Sequence, residues 1–510
     1  MLNSKNRFER RHFSTLSKIS KGAIITLSGT IAGKGLLFFY TIFLAKILGV
    51  SDLGLYFLGI TIVGFLTVLC TLGLNTGVVR FTSIYSGRND LSRMKGTVLI
   101  SSVIVLLPSL VIVGIIFLFG DVISITIFHK PKLAIVIKLL SLSIPFNSLM
   151  QIFLASTRGL KLMQYTAYVE NLAWVGLRFL FTVFFFYGLR LGLKGVVSAY
   201  ITSSIFAAGL AFYYASKLIP LVDRKITSIF DARSLLKFSI PMVFSILLYS
   251  LMSQVDILML GLFVSSAKIG IYSVAVRIIA LAIVISQAFT PIFNSFIAEL
   301  HDKKELVELS NLLKVITRWN ITISFPIFLL LLFFPGFFLH IFGKEFIQGS
   351  NCLSILVIAH IFSSISGLSS SIIFMSGRSD ITLKNNLAIL IINGVLNYLL
   401  IPRYGIIGAA FATGTSFILL AIIRITAVYC LMKIHPFMVD LWKPIMAGFI
   451  SLVIILFLHR NLGIERDIFI VLLLSMFFLL YSSLIYIFKL NEEDIYIKTI
   501  IKEKLISLIR

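Results

Sequence analysis

Four basic side chains stand inside long apolar runs, where a charge is costly. They are Lys34, Arg178, Arg277 and Arg424. A charged residue at the centre of a membrane-spanning helix costs about 2.5–3.5 kcal/mol on insertion scales, so we expect these side chains to face water, a partner or a ligand. Fixed cations can replace the hydration that a phosphate loses in hydrocarbon, and arginine can hold a phosphate with two hydrogen bonds. The pattern indicates anion binding within a membrane.

Structural roles for some of these cations stay open. Glu170 lies eight residues before Arg178, two helical turns away, so these two side chains can form an ion network instead. Arg424 can extend its charged end to the inner membrane surface. Arg80, at the inner end of the second apolar run, either meets a lipid headgroup or marks the boundary. The remaining two cations of the set are the strongest candidates for lining a cavity.

A stripe of amides follows one predicted helix near the C-terminal end of the chain. Asn386, Asn393 and Asn397 lie within about 40° of one another around a helix. Asp256 and Thr413 add oxygen atoms from neighbouring apolar runs. Oxygen ligands around one carboxylate suit a monovalent cation such as Na⁺, so we expect Na⁺ as a coupling ion and no other cofactor. The alternative is that the amides join helices and that Asp256 pairs with a nearby cation.

The composition predicts an integral membrane protein. The 510 residues are 58% hydrophobic and only 13% charged, too little charge to cover the surfaces of soluble domains. The net charge is +24, but the basic residues lie between apolar runs rather than in a patch with aromatic platforms. We therefore expect no nucleic-acid partner, and we attribute the basic excess to membrane topology and anionic lipid.

About fourteen runs are long enough to cross a bilayer, which needs roughly 20 apolar residues per helix. They cover 22–48, 53–79, 97–119, 134–157, 165–187, 194–216, 236–263, 269–296, 311–334, 350–375, 382–400, 405–431, 442–459 and 467–488. If the N-terminus is inside, the inner segments hold about 30 Lys and Arg and the outer loops about 10, which predicts that both termini are cytoplasmic. No predicted loop has room for a catalytic domain.

Short sequence motifs in the first half of the chain recur in the second half at a nearly constant offset of roughly 215 residues, which indicates a parallel repeat of six helices. The clearest recurring pairs are Gly54-Leu55-Tyr56 with Gly270-Ile271-Tyr272, Ile127-Phe128 with Ile341-Phe342, and Arg190 with Arg403. The predicted organisation is a basic cytoplasmic N-terminus (1–21), a first lobe (22–218), a cytoplasmic loop (219–235), a second lobe (236–431), two further helices (442–488) and an amphipathic cytoplasmic tail (489–510).

Particular stretches resemble the polysaccharide-biosynthesis flippases of the multidrug/oligosaccharidyl-lipid/polysaccharide exporter superfamily. These are residues 48–56 (LGVSDLGLY), Leu72-Gly73-Leu74 with Arg80, Pro241, Gln254-Val255-Asp256 and residues 270–275 (GIYSVA). The resemblance implies an all-α membrane fold with two pseudo-symmetric six-helix lobes in a V and two extra helices. It also implies a flippase that moves a polyprenyl-(di)phosphate-linked oligosaccharide to the outer leaflet by alternating access through a cationic central cavity.

The resemblance to the lipid II flippase branch of this superfamily also implies a sodium site. Carried over residue by residue, that site uses Asp256, Asn393, Asn397, the main-chain carbonyl of Ala409, and Thr413. One departure weakens the match, because Asn397 stands where that branch has a second acid. The implied location is the plasma membrane of a prokaryote, with membrane lipids and glycan polymerase or glycosyltransferase machinery as partners.

Two other functions stay open at this point. A cation-coupled multidrug exporter of the same superfamily usually needs acidic residues in its first lobe, whereas the first predicted helix carries Lys34 and no acid. A membrane-embedded glycosyl- or acyltransferase needs a carboxylate pair or a histidine–acid pair near a membrane face, and no such pair is evident. His360 in the tenth run is read as a packing residue, and the three cysteines as apolar core residues. The sequence therefore favours a transporter over an enzyme.

Overall fold

The computed structural model describes residues 2–288, 297, 305–376, 378–462 and 467–488. Within these ranges the chain is helical and contains no strand, which confirms the all-α prediction. The predicted tail at 489–510 lies outside the described residues, and so does the end of the predicted span 269–296 after residue 288.

Seventeen α-helices lie in the described part of the chain, numbered here in chain order. They are α1 Leu2–Thr71, α2 Leu74–Gly87, α3 Leu91–Val122, α4 Pro131–Ser141, α5 Ile144–Gly159, α6 Gln164–Thr166, α7 Trp174–Val183, α8 Gly192–Leu218, α9 Ala232–Phe263, α10 Ser266–Ala288, α11 Leu306–Phe333, α12 Pro335–His340, α13 Ser350–Met375, α14 Ser379–Tyr404, α15 Ile406–Met432, α16 Trp442–Leu462 and α17 Asp467–Ile487. Wider π-helical turns extend three of them, at Ile123–Ile127, Ala167–Ala173 and Phe184–Gly188.

Ten helices of the described residues are long and apolar enough to cross a membrane, or twelve if each of two bent pairs is one span. One bent pair is α4 with α5, which meet at an angle of 41°. Two predicted spans lie together in α1, where the break between them is a kink at Gly49 rather than a loop. The count of fourteen therefore stays a prediction, while a multi-pass membrane protein is confirmed.

The predicted breaks between helices lie at residues whose local chemistry ends or starts a helix. Gly49 has φ 67° and ψ 178°, a conformation that suits glycine because it has no Cβ. The predicted break at residues 86–90 is confirmed: α2 ends at Gly87, and the side chain of Asp90 accepts a hydrogen bond from the Arg93 N–H to cap α3. The predicted break before α4 is also confirmed, with Pro131 in the first turn of that helix.

The second predicted span, 53–79, is interrupted by a turn although its apolar sequence pattern is continuous. Leu72 and Gly73 both have positive φ, and they separate α1 from α2. A Cβ at Gly73 would lie 2.5 Å from the main-chain oxygen of Ser239 in α9, so only glycine allows α9 to approach this turn. The interruption is thus set by a tertiary contact, which hydropathy cannot reveal.

The described chain forms two compact units. Unit 1 is Met1–Val274 with Leu396–Ala409, and unit 2 is Ala275–Val395 with Ala410–Arg510. Unit 1 has an apolar core around Val98, Leu154 and Ala211. Unit 2 has two apolar cores, one around Leu313 and Ile372 and the other around the aromatic ring of Phe477. The lobe boundaries stay a prediction.

Candidate functional site

Lys34 lies on the side of α1 that packs against protein. Thr41 and Ala45 stand within about 20° of Lys34 around the helix axis, and they are 2% and 3% exposed. Phe39 stands about 140° away and is 68% exposed, as expected of a lipid-facing side chain. Lys34 itself is exposed, and the described residues give it no ion pair. Lys34 is therefore an exposed cation on the same side of α1 as two buried residues.

Helix α1 is held in this orientation by two glycines. A Cβ at Gly29 would lie 2.7 Å from the Cβ of Ala167, and one at Gly33 would lie 2.5 Å from the Cβ of Asn171. The Asn171 amide also donates to the hydroxyl of Thr30 over 3.4 Å. These contacts press α1 against the π-helical turn Ala167–Ala173, and π-helical turns are frequent at functional sites.

Arg178 is buried in unit 1 beside two aromatic rings. Its guanidinium carbon lies 4.4 Å from the ring centroid of Trp174, one turn earlier in α7, and 4.4 Å from that of Tyr200 in α8. Its side chain is 7% exposed. Each ring can stabilise the charge through a cation–π interaction.

Glu170 contacts other side chains than Arg178. Its carboxylate accepts a hydrogen bond from the amide of Gln151 over 3.3 Å. It also interacts electrostatically with Arg158, at the end of α5. Among the residues that the structure describes there is no ion pair between Glu170 and Arg178, so the ion network considered from their spacing does not form here.

Arg80 is exposed near the inner end of α2. Its guanidinium carbon lies 4.2 Å from the ring centroid of Phe238 in α9 and 6.0 Å from that of Phe81. Both rings belong to unit 1. A stacked, exposed guanidinium keeps its outer edge open to water or to a headgroup, so both interpretations of Arg80 remain possible.

Asp256 is a buried carboxylate in α9 with two hydrogen-bond donors. The hydroxyl of Tyr272 in α10 donates to it over 2.8 Å, and the amide of Asn397 in α14 donates over 3.4 Å. The exposed fractions of Asp256 and Asn397 are 9% and 0%. All three residues lie in unit 1, so two of the predicted ion ligands do come together there.

The other predicted ion ligands divide between the units. In unit 2 the amide of Asn393 donates to the hydroxyl of Thr413 over 3.4 Å. Ala409 belongs to unit 1, is fully buried, and donates its N–H to the carbonyl of Gly405 over 3.2 Å. No group of three or more His, Cys, Asp or Glu side chains among the described residues could hold a metal ion.

The two remaining predicted cations lie in unit 2. Arg277 is in α10 and Arg424 is in α15, and both side chains are half-buried. Each makes contacts within the protein. Half-burial is compatible with both the cavity role and the structural role that the sequence left open.

Comparison with known proteins assigns the chain to a family. The sequence model of the family described as polysaccharide biosynthesis protein matches residues 19–297, more than half of the chain. The chain belongs to this family. A second family model, MatE, matches residues 241–399. Both matches confirm the resemblance drawn from the sequence.

A relative and two solved structures are similar over most of the chain. A Haloferax volcanii protein named "Probable low-salt glycan biosynthesis flippase Agl15" is 25% identical over 405 residues, covering 78% of this chain and 81% of that protein. The lipid II flippase MurJ in an inward closed conformation has a TM-score of 0.75 at 19% identity, covering 91% of this chain and 98% of its own. An inward-facing multidrug resistance MATE transporter has a TM-score of 0.68 at 15% identity, covering 81% and 98%. At these identities the two structures show a shared fold.

Three aromatic residues of the site escaped the sequence reasoning. Trp174 and Tyr200 lie beside Arg178, and Tyr272 donates to Asp256. One signal was available, because Trp174 precedes Arg178 by four residues, the spacing of neighbours on a helix. The two tyrosines could not be singled out among the 17 tyrosines of so aromatic a chain.

Proposed function

We propose that this protein carries a polyprenyl-(di)phosphate-linked oligosaccharide from the cytoplasmic to the outer leaflet, for assembly of a cell-surface glycan. Family membership supports the glycan pathway, and the Haloferax relative is named as a glycan flippase. The MurJ-like fold supports a transporter rather than an enzyme. The proposed location is the plasma membrane of a prokaryote, with both termini in the cytoplasm. Glycan polymerase or glycosyltransferase machinery is the expected partner.

The observation that carries this proposal is the orientation of Lys34. Lys34 is exposed, stands on the same side of α1 as the buried Thr41 and Ala45, and has no ion pair in the described residues. An unpaired phosphate is prohibitively costly in hydrocarbon, and a fixed cation in a wet space replaces the hydration that the phosphate loses. The oligosaccharide crosses in the same water, while the lipid tail stays in the bilayer.

The acids of unit 1 are largely engaged by basic or polar groups, which suits an anionic cargo better than a cationic one. Asp90 pairs with Arg93 at 3.5 Å, Asp121 forms a salt bridge with Lys138, and Glu170 binds Gln151. A cationic drug would need a free carboxylate on this side of the protein. These contacts weigh against the drug-exporter alternative.

The test uses vesicles that contain the purified protein and a fluorescent polyprenyl-diphospho-oligosaccharide. An impermeant quencher outside the vesicles measures how much of the label has reached the outer leaflet. We expect Lys34→Ala to slow translocation by about tenfold or more, since a hydrogen bond to a charged group contributes about 1.5–3 kcal/mol. Lys34→Arg should retain most of the rate.

The matched control is Lys46→Ala. Lys46 carries the same charge on the same helix, about 120° from Lys34 and close to Phe39 around the axis, and it is exposed. Its removal should leave the rate unchanged. Wild-type rates in folded Lys34→Ala protein would disprove the role of this cation.

A multidrug exporter is the second candidate, favoured by the MatE match over residues 241–399. The two functions make opposite predictions about the charge of the transported molecule. An exporter would move cationic dyes across vesicles and would do so faster after Lys34→Ala, whereas the proposed flippase should move the anionic lipid and ignore the dyes.

Sodium is the proposed coupling ion, with the carboxylate of Asp256 and the amide oxygen of Asn397, both in unit 1, as its proposed ligands. The hydrogen bonds at Asp256 support a site that already gathers polar groups around a carboxylate. Replacing Na⁺ by K⁺ should slow translocation in wild-type vesicles and have no effect in Asp256→Asn vesicles. A wild-type rate that is the same in both salts would remove sodium from the mechanism.

A further inference from the structure

The loop that joins α8 to α9 is fastened to the start of α3. The ammonium group of Lys95 in α3 donates hydrogen bonds to the main-chain carbonyls of Asp223 over 2.6 Å and of Ile226 over 3.0 Å. Lys95 is 6% exposed, so a buried cation of a membrane-spanning helix holds the backbone of this loop. We call residues 219–231 the strap.

The strap packs closely on α3 at a second point. The N–H of Ile229 donates to the carbonyl of Ser92 over 3.2 Å. A Cβ at Gly96 would overlap the main-chain oxygen of Ile229, so only glycine lets the strap cross α3 here. At the other end of the strap, Ile219 and Leu221 are buried in the apolar core of unit 1. The strap is therefore a packed part of unit 1 rather than an unattached loop.

Exposed apolar side chains stand where the strap meets α3. Leu91 is 43% exposed, Ile229 48% and Phe230 58%. Val222, which is 68% exposed, directly precedes the first residue whose carbonyl Lys95 binds. We call these four exposed side chains the apolar patch. Exposed apolar clusters mark surfaces that bind a membrane or another protein.

The apolar patch lies close to the predicted edge of the hydrocarbon layer. The helices on either side of the strap and the helix beneath it are all candidate membrane spans. Leu91 is six residues before the apolar run that begins at residue 97, which is roughly 9 Å along a helix. An interfacial segment buries its apolar face about 5–10 Å into the boundary between headgroups and acyl chains. The patch is thus within reach of lipid headgroups.

Cations outnumber acids around the strap. From residue 217 to residue 237 the chain has five Lys and Arg and two Asp. The Asp223 side chain accepts a hydrogen bond from the N–H of Lys225 over 2.9 Å, and the Asp231 side chain accepts one from the N–H of Ser234 over 3.1 Å. All five cations are exposed: Lys217, Arg224, Lys225, Arg233 and Lys237. Basic residues beside a membrane surface attract anionic lipids.

We propose that the strap is an anchor for anionic phospholipid. The apolar patch inserts among the headgroups of the adjacent leaflet, and Arg224, Lys225 and Arg233 bind lipid phosphates. Lys95 is a positioning residue that holds the strap at this depth. A lipid surface fits better than a soluble protein, because the strap joins two spans directly and places apolar groups beside cations. The inference concerns the lipid of the membrane and not the transported molecule, so it is independent of the proposed function.

The depth of the strap is measured with a fluorophore in the full chain. Cys430→Ser leaves only the buried Cys70 and Cys352, and Phe230→Cys then takes an environment-sensitive label. Arg88→Cys is the matched control, because Arg88 is exposed in the turn between α2 and α3. Both proteins are placed in vesicles of phosphatidylcholine and phosphatidylglycerol that carry a spin label near the head of the acyl chain.

We expect quenching by the spin label to be about twofold or more stronger at residue 230 than at residue 88, because an interfacial apolar residue lies beside the heads of the acyl chains. Equal quenching at the two positions would mean that the apolar patch faces water or a protein partner, and it would overturn the inference.

The preference for anionic lipid tests the cations. With the label at residue 230, quenching by spin-labelled phosphatidylglycerol and by spin-labelled phosphatidylcholine gives the ratio of their association constants. We expect a ratio of about five or more, since each cation near an anionic surface strengthens binding by about fivefold. The double substitution Arg224→Gln with Lys225→Gln should bring the ratio close to one.

The matched control for this pair is Arg190→Gln with Lys194→Gln. It removes one arginine and one lysine, both exposed, near the opposite end of α8, and it should leave the ratio unchanged. A ratio close to one in the parent protein, or an unchanged ratio after substitution of Arg224 and Lys225, would overturn the inference.

Lys95→Met tests whether α3 positions the strap. The change removes both hydrogen bonds to the strap, so we expect quenching at residue 230 to fall towards the value at residue 88. Arg93→Met is the control, because it removes an exposed cation from the same turn of α3. A folded Lys95→Met protein with unchanged quenching would overturn the positioning role. If that variant does not fold, the depth and the lipid preference of the parent protein still decide the inference.

Discussion

Arg178 and Asp256 are two buried charges of unit 1 with opposite surroundings. Asp256 is 9% exposed and accepts hydrogen bonds from Tyr272 and Asn397. Arg178 is 7% exposed, its guanidinium carbon lies 4.4 Å from each of two ring centroids, and its Nε has no acceptor. The two groups are therefore about equally buried, but the carboxylate of Asp256 has hydrogen-bond donors in place, whereas the Nε of Arg178 has no acceptor.

The difference separates a charge that has hydrogen-bond partners within the fold from a charge whose Nε has none. Removing Asp256 leaves its donors buried without an acceptor, which carries the full desolvation penalty of those groups. Removing Arg178 deprives no described residue of a hydrogen bond. The two sites should therefore respond differently to apolar substitution, and three substitutions test this contrast.

The largest effect is expected for Asp256→Leu. We expect it to lower the free energy of unfolding by about 2–4 kcal/mol, since a buried hydroxyl and a buried amide lose their acceptor. Thermal unfolding in detergent measures the change. Asp256→Asn is the control, because it keeps an oxygen acceptor and should lose less. Equal stability of the leucine variant and wild type would show that the carboxylate is not built into the fold.

A smaller loss is expected for Tyr272→Phe. The change removes one donor and keeps the ring, so we expect a decrease of about 1.5 kcal/mol, the lower end for a hydrogen bond to a charged group. The same unfolding measurement applies. Tyr398→Phe serves as the control, since Tyr398 is 64% exposed and should tolerate the loss of its hydroxyl. Equal losses from both variants would contradict the assignment.

The smallest stability effect is expected for Arg178→Met. We expect stability within about 1 kcal/mol of wild type, or an increase, because lost cation–π contacts are offset by removal of a buried charge. A loss as large as that of Asp256→Leu would mean that Arg178 has a structural acceptor. That result would remove the contrast.

Most helix positions were predictable because hydropathy acts along the chain. The predicted run 350–375 matches α13, and 165–187 differs by one residue at each end from the helical segment Gln164–Gly188. Charge and proline marked the breaks at Asp90 and Pro131 correctly. The turn at Leu72-Gly73 was missed because the close approach of α9, not local composition, requires it.

The candidate site was predictable in its charged members and in Asn397, but not in its aromatic residues. Lys34, Arg178 and Asp256 were visible because a charge in an apolar run is unusual. Trp174, Tyr200 and Tyr272 were not, since an aromatic residue in a membrane helix is ordinary until its neighbours are known. The spacing of Glu170 and Arg178 even suggested a partnership that the fold gives to Gln151 and Arg158 instead.

The sequence by itself determined that the chain is an all-helical, multi-pass membrane protein, where its buried charges lie, and which family it resembles. These properties follow from residue type and order, because the hydrocarbon layer penalises each polar group wherever the chain folds. Only the tertiary structure decided that the carboxylate of Asp256 meets donors and that the guanidinium of Arg178 meets rings. Three of these four contacts join one helix to another, at Tyr200, Tyr272 and Asn397, so packing between helices sets them.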